Sequence, residues 1–525
     1  MKRRRTESEG DNSSDTPTYI IRGTPEGILR RIQNVYANRL LTDVTLVVEG
    51  VSYPAHGFIL CLSSDVFETM LMNYKRSDSH QGVIELQEIP QCVDVFPVFL
   101  QYLYTGEITV DFDIIIPILM LAVKYNVENL TEFCINYMCK ILTEAAKNGL
   151  IVTWFQYLLS LNHPKKVNAA YFCKIWQDND CIKFKPPLNK FFKACKNFIK
   201  WNIDKCVDCF NTFQCDVLVG LLQQSDLVVD DEIQLFKYVE GWINYQAEKK
   251  LIECNDSDTV KEYKISLIEN VMSYIRYPMI PPRRLPILFM EPILKEHGHF
   301  FIDKMTETMY YNMIKIEKQT SADYILACTP RLYTCSQWGG EFRVYSYTLD
   351  TLLPLTKEIT TNRYLFERSE EMPEKAQWNV ELFLNGLWYD KALWTSGSDS
   401  LELPEVILKK VRATIELKLR EYEKKVSFYA RVAILVYGRQ IAITHVVSVV
   451  QKVVLFTEDQ LKITIDDFMD YEELHRVGAQ EAYSQFGYYT FGALKVHIVI
   501  TPVALGVTDI QNIAIGIQHV HFQIV

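Results

Sequence analysis

Thr45-Leu46-Val47-Val48-Glu49-Gly50-Val51-Ser52-Tyr53-Pro54-Ala55-His56 is the stretch from which the fold of the N-terminal part of the chain follows. Two short runs rich in β-branched and aromatic residues flank Glu49-Gly50, where glycine tolerates positive φ, so the segment reads as a β-hairpin. Beyond it, Phe58, Leu60, Leu62, Phe67 and Leu71 mix spacings of two, four and five, as expected of a buried helix hairpin. The hairpin breaks near Ser63-Ser64, a good N-cap for its second helix. Val95 to Ile108 predicts another helix, stopped by Gly106, and Leu119, Leu121, Ala122, Tyr125 and Val127 mark one more.

Working outward, 525 residues are too many for a single hydrophobic core and predict three or four domains. A composition of 48% hydrophobic and 23% charged residues is that of a globular chain. The net charge of -10 argues against broad binding to phosphate backbones, so nucleic acid is not an expected partner. Only Lys2 to Arg5 form a compact basic run, inside a polar tail over residues 1–22 that is expected to be disordered. No apolar region of a secretory leader follows them, and no stretch approaches eighteen uninterrupted apolar residues. The expected location is therefore cytoplasmic and away from membranes, with nuclear entry through Lys2–Arg5 as the alternative. Thirteen irregularly scattered cysteines read as reduced, buried thiols.

From about Thr131 to Met313 the pattern is helical, with breaks at Pro164, Pro186-Pro187 and Pro278 to Pro286. Phe191, Ala194, Cys195, Phe198 and Ile199 recur at helical spacing, as do Val217, Leu218, Leu221 and Leu222. Asp230 is expected to cap a helix anchored by Ile233, Phe236, Tyr238 and Trp242. Cys206-Val207-Asp208-Cys209 has the form of a zinc or redox motif, but no second cysteine pair stands at a suitable spacing, and core thiols are the reading. After about Ser321 the texture turns to β alternation, at Phe342–Tyr347, Trp378–Gly386, Phe428–Val436, Thr444–Val450, Leu494–Ile500 and Ile513–Val525. An antiparallel sandwich packs such strands best. His519 and His521 share one strand face, the parity of two metal ligands, yet no third ligand is evident and no metal is expected.

Leu41-Thr42-Asp43-Val44, Pro54-Ala55-His56, Leu60, Ser63-Ser64, Val66-Phe67, Tyr102 to Gly106 and Ala122 to Tyr125 are together similar to the BTB/POZ family over about residues 30 to 140. Leu221 to Phe236, with Val239 and Trp242, resembles the BACK domain that follows BTB in many adaptors. Cys195 to Asn202 and Arg276-Tyr277-Pro278-Met279 strengthen that resemblance. Family architecture then suggests a TRAF-like sandwich at the C-terminal end. The implied order is a BTB/POZ α/β domain over 23–140, a helical BACK domain over 141–320 and a TRAF-like domain over 321–525, making the chain multidomain α+β.

The resemblance implies structural roles for Asp43, His56, Ser64 and Phe67 in BTB and for Ser225, Asp226, Leu227 and Trp242 in BACK. It also implies a homodimer formed through an apolar helical face. BTB domains that recruit cullin scaffolds often carry an apolar residue, any residue and then Glu after the helix expected to end near Met70-Leu71. Here Lys75, Arg76 and Ser77 stand at those positions, so the acidic acceptor is missing unless Asp78 substitutes; Met72, Tyr74, Lys75, Ser77 and Asp78 are the candidate contact region. Gly57 follows His56 where many BTB transcription factors carry a basic residue, which disfavours a corepressor pocket. No phosphate-binding loop, HExxH helix or nucleophile elbow marks a catalytic class, and neither catalysis nor a cofactor is expected. The expected function is a dimeric protein-interaction adaptor with a protein ligand at its C-terminal domain, working with a cullin ligase. A cullin-independent scaffold or a nuclear, transcription-associated protein is the alternative.

Overall fold

The computed structural model describes residues 25–76, 82–161, 169–177, 186–254, 256–313, 322–345, 354–362, 375–384, 386, 410–419, 427–440, 443–475 and 493–503. The chain forms two compact units that divide between Cys134 and Ile135. The architecture is mixed α+β, with a mixed three-stranded sheet in the N-terminal unit and two four-stranded antiparallel sheets in the C-terminal part.

The first unit opens with helix α1 (Pro25–Ala37), followed by the hairpin β1 (Val44–Val48) and β2 (Val51–Ala55). Glu49 and Gly50 both take positive φ, the turn that matches the twist of paired strands. Helices α2 (Gly57–Ser63) and α3 (Asp65–Arg76) then form the expected hairpin, and Ser64 Oγ accepts the Phe67 amide at 3.1 Å to cap α3. Strand β3 (Val83–Leu86) lies parallel to β1, giving the order β2-β1-β3. Helix α4 (Pro90–Thr105) ends where Gly106, at φ 68°, returns its amide to the Tyr102 carbonyl. Helices α5 (Ile115–Lys124) and α6 (Glu128–Lys140) follow. Leu46, Leu60, Phe67, Phe96, Phe99, Ile118 and Tyr125 fill the core.

The second unit continues with α7 (Leu142–Lys147), α8 (Ile151–Ser160), α9 (Ala169–Gln177), α10 (Pro186–Trp201), α11 (Val207–Phe210) and α12 (Cys215–Leu222). The two-residue strand β4 (Val228–Val229) precedes α13 (Glu232–Cys254) and α14 (Ser257–Val271). Then come α15 (Leu285–Phe289), α16 (Pro292–Glu296), α17 (Gly298–Met313) and α18 (Ala322–Ala327). Aromatic rings carry the helical core: Phe155 lies 4.7 Å from Trp176 and stacks on Phe192. Pro186-Pro187, read as a break, opens α10, where the missing proline N–H costs no helical bond. The cap of α13 is Asp231, one residue beyond the expected Asp230: Asp231 Oδ1 accepts the Gln234 amide at 2.9 Å.

Short strand β5 (Leu332–Tyr333) pairs parallel with β4, so the first backbone after α18 is hydrogen-bonded to the helical region. The sandwich comprises β6 (Gly339–Tyr345), β7 (Leu355–Asn362), β8 (Lys375–Phe383), β9 (Arg412–Lys418), β10 (Ser427–Gln440), β11 (Ile443–Thr457), β12 (Lys462–Asp466) and β13 (Ala493–Pro502). One sheet runs β11-β10-β13-β6 and the other β12-β9-β8-β7, and helix α19 (Tyr471–His475) follows β12. Trp378, Val380, Ile415, Val432, Ile434, Phe456, Val496 and Ile498 interdigitate between the sheets. Strands β7, β9 and β12 were not singled out from the sequence, whereas the expected strand Ile513–Val525, with His519 and His521, lies outside the described residues.

Candidate interaction surfaces

In the first unit the residues singled out from the sequence form structural contacts. The Gly57 amide donates to Asp43 Oδ1 at 2.7 Å, tying the start of α2 to the loop before β1. A Cβ at position 57 would lie 3.3 Å from Asp43 Oδ2, so glycine lets the carboxylate approach the backbone closely. His56 Nε2 donates to the Leu40 carbonyl at 2.6 Å, which leaves Nδ1 to accept from the Tyr104 hydroxyl at 3.0 Å. Tyr104 in turn accepts the His56 amide at 2.8 Å, and burial pushes its phenol up to about 12. Both imidazole nitrogens are thus occupied by structural partners. Ser64 Oγ donates to the Tyr125 carbonyl, while Phe67 stacks on the Tyr125 ring at 4.4 Å and an interplanar angle of 8°.

Two helices of this unit turn large apolar side chains outward. On α1, Ile28 is 67% exposed; on α2, Phe58 and Leu62 are 71% and 70% exposed; Leu41, in the connection before β1, reaches 86%. Phe58 and Leu62 are spaced one helical turn apart, so their side chains point the same way. Helices α1 and α2 both pack on α4, with Tyr36 stacked on Tyr104 at 4.3 Å. These four side chains leave a sizeable apolar area in water, the kind of surface that interaction sites carry.

The candidate cullin-contact region begins on α3. Met72 is half-exposed, and Tyr74 and Lys75 belong to the last turn of the helix, which runs to Arg76 rather than ending near Leu71. Asp65 and Glu68 at its first turn and the cap from Ser64 sustain that longer helix. Ser77 and Asp78 lie outside the described residues.

The second unit contains a polar seam that sequence reasoning missed. Glu232 and Arg331, 99 residues apart, are both buried and meet at 2.7 Å. The Tyr333 hydroxyl donates to the same carboxylate oxygen at 2.7 Å, and the Arg276 amide donates to the other at 3.1 Å. Arg331 also donates to the carbonyls of Gln224 and Tyr274. Arg276 donates to the carbonyls of Thr329, Gln223 and Gln224 and to Ser225 Oγ; burial lowers its guanidinium to about 9, still protonated at neutral pH. From β10, Arg431 donates to the carbonyls of Ser225 at 3.0 Å and Pro330 at 2.6 Å. Lys200 on α10 pairs with Asp226 at 2.5 Å, Leu332 donates its amide to the Leu227 carbonyl, and Trp242 Nε1 reaches the Phe213 carbonyl at 3.1 Å. Ser225, Asp226 and Leu227 are therefore the strip onto which helices and sandwich both dock, while Trp242 is a core anchor.

The seam also covers one face of the sandwich. Arg431, Ala433, Leu435, His497, Val499 and Thr501 point away from the inter-sheet core yet are buried. Asn202, just after α10, clamps the edge of β11: its Nδ2 donates to the Val446 carbonyl at 3.0 Å and its Oδ1 accepts the Val446 amide at 2.5 Å. Phe198 lies 5.5 Å from the His445 ring. Burial pulls His445 and His497 down to about 4, so both are neutral. The outer face of β12-β9-β8-β7 differs, carrying the partly exposed pairs Lys418–Glu358, Arg412–Asp466 and Lys462–Glu381. No group of three or more metal-ligating side chains, and no helix long and apolar enough to cross a membrane, occurs among the described residues.

Comparison with known proteins agrees with this anatomy. Residues 32–142 match the BTB/POZ domain family, 187–256 the family described as BTB And C-terminal Kelch, and 328–504 the BTBD17 TRAF domain. BTB/POZ domain-containing protein 17 of Xenopus laevis is 24% identical over 94% of this chain and 94% of its own. The Mus musculus protein of the same name is 27% identical over 67% and 65%. Kelch-like protein 24 of Homo sapiens is 23% identical over 49% of this chain and 36% of its own. Glu232 falls in the BACK match and Arg331, Tyr333 and Arg431 in the TRAF match, so the seam joins two separately recognised families. The chain carries, in order, regions that match the BTB/POZ domain, the BACK domain and the BTBD17 TRAF domain, and it resembles BTB/POZ domain-containing protein 17 along its length.

Proposed function

We propose that this chain is a homodimeric, non-catalytic adaptor that joins a protein ligand at its sandwich to a cullin-type ubiquitin-ligase scaffold at its BTB domain. The combination of interaction domains supports an adaptor role, and the outward apolar side chains of α1 and α2 carry the dimer reading. A second copy offers the same apolar patch and would cover Phe58 and Leu62 without any further sequence. Because helices cover the outer face of β11-β10-β13-β6, the ligand has the opposite sheet and the exposed edges left to it. Two linked copies would then engage a multivalent ligand with gained avidity. The proposed location is the cytoplasm, with nuclear entry through Lys2–Arg5.

A cullin-independent scaffold is the second reading, favoured by Lys75, Arg76 and Ser77 standing where an apolar residue and an acidic acceptor are usual. Binding of the purified full chain to a panel of cullins, with light scattering on the same sample, separates the two. Saturable binding by a dimer supports the ligase adaptor; a dimer without cullin affinity leaves the scaffold.

A further inference from the structure

The long strand β11 is the outer member of its sheet, and its free edge is nearly bare. Among the described residues, Asn202 meets that edge at Val446, and no hydrogen-bond partner stands on that side from Val447 to Phe456. This stretch carries a single charged residue, Lys452, and the register shift that could blunt the edge lies at Val436/Tyr437, beside the clamp. Val453 and Leu455 are half-buried there, and Ser448 Oγ and Gln451 Oε1 are buried without a partner. A long, nearly uncharged edge of this kind pairs readily with another strand, so a folded chain has to cover it.

A strand suited to cover it is encoded further along the same chain. Residues 513–525 contain no Asp, Glu, Lys or Arg and are rich in Ile, Val and Phe, the residues that favour strands. The chain leaves β13 at Val503, whose amide donates to the Tyr429 carbonyl on β10, and Tyr429 faces Leu455 on β11. A strand beside β11 lies three strand spacings from β13, roughly 14 Å, and the nine residues 504–512 can span about 30 Å. Because β13 and β11 both run opposite to β10, a chain turning back at this end runs antiparallel to β11. Residues 513–525 are long enough to reach from Thr457 to the clamp at Val446. The other edges fit less well. Lys357 donates to the Glu341 carbonyl at 2.6 Å and the Asn362 amide to the Gln337 carbonyl at 3.2 Å, which ties β6 to β7. Strand β12 has five residues, with charged Lys462 and Asp466 at its ends. We propose that residues 513–525 form a further strand of the sandwich, antiparallel to β11 and hydrogen-bonded to its free edge between Thr457 and the clamp at Val446. Such a strand blocks edge-to-edge association of sandwiches and leaves a protein ligand the outer face of β12-β9-β8-β7. Neither the dimer nor the cullin contact is needed for this pairing.

Hydrogen exchange of the full chain, read by peptide mass spectrometry, tests the pairing without any truncation. Residues 513–525 should exchange at least about tenfold more slowly than an unstructured chain, and at the same rate when the protein is diluted. Val520→Pro removes an amide donor from the middle of the proposed strand. It should speed exchange about tenfold both in residues 513–525 and in the free-edge amides between Val447 and Leu455. Peptides from β8 and β9 should be unchanged, which shows that the variant remains folded. Exchange of residues 513–525 at the unstructured rate would overturn the proposal, as would a β11 edge whose exchange does not respond to Val520→Pro. Protection that is lost on dilution would assign the strand to a second copy and contradict pairing within one chain.

Discussion

The two units solve opposite problems. In the BTB unit, hydrogen bonds from Gly57 to Asp43 and between His56, Tyr104 and Leu40 fix the loop around β1, while large apolar side chains face outward. At the BACK–sandwich seam the arrangement is inverted, with Glu232, Arg331, Arg276 and Arg431 buried among backbone carbonyls. Exposed apolar surface is stabilised by acquiring a partner; buried charge is tolerated only in a fixed geometry. The first unit thus leaves apolar side chains in water, whereas the second fixes its helices and sandwich in one orientation through buried charge.

The seam side of this comparison breaks most readily at Glu232. Glu232→Ala leaves Arg331 buried without its carboxylate and should cost about 3–5 kcal/mol, read as a fall in the denaturation midpoint of the second unit. A loss of under about 1 kcal/mol would mean the charges are not fixed as described.

Acid should break it next. His445 and His497 are held at about 4 by burial, against about 6.5 in an unfolded chain, so the unfolded state takes up protons first as the pH falls. Stability present above about pH 6.5 is lost between about 6.5 and 4, by at most on the order of 3 kcal/mol per histidine. Urea midpoints measured across that window check this, and His497→Leu should flatten the slope.

How much of this was legible in the sequence follows the same division. The hairpin turn at Glu49-Gly50, the cap at Ser64 and the stop at Gly106 rest on local chemistry, and each stands where its residues indicated. Strand β9 was harder to read: its inward Ala413, Ile415 and Leu417 alternate with Arg412, Thr414, Glu416 and Lys418 in a run dominated by polar outer-face residues. Glu232 carries no local signal of its role, because its partner Arg331 is 99 residues away in the chain and no spacing rule connects them. Asp230 and Asp231 stand side by side, and only backbone geometry shows that the second is the cap.

Smaller effects sharpen the comparison. Asn202→Ala removes two hydrogen bonds to Val446 and should destabilise the second unit by about 1–3 kcal/mol, with faster exchange of the Val446 amide. On the opposite sheet, Glu358→Ala removes an exposed ion pair with Lys418 and should cost less than about 1 kcal/mol, diminishing further in high salt. Equal losses from these two substitutions would erase the distinction between the covered and open faces of the sandwich.

The most direct test of the account is sedimentation equilibrium of the full chain beside a variant carrying Phe58→Asp and Leu62→Asp. The account predicts a dimer, at twice the 61.2 kDa chain mass, and a variant that sediments as monomer while keeping the denaturation midpoint of its second unit. A wild-type chain that stays monomeric at every concentration, or a double variant that still dimerises, would contradict the claim that the apolar face of α1 and α2 is where two copies meet.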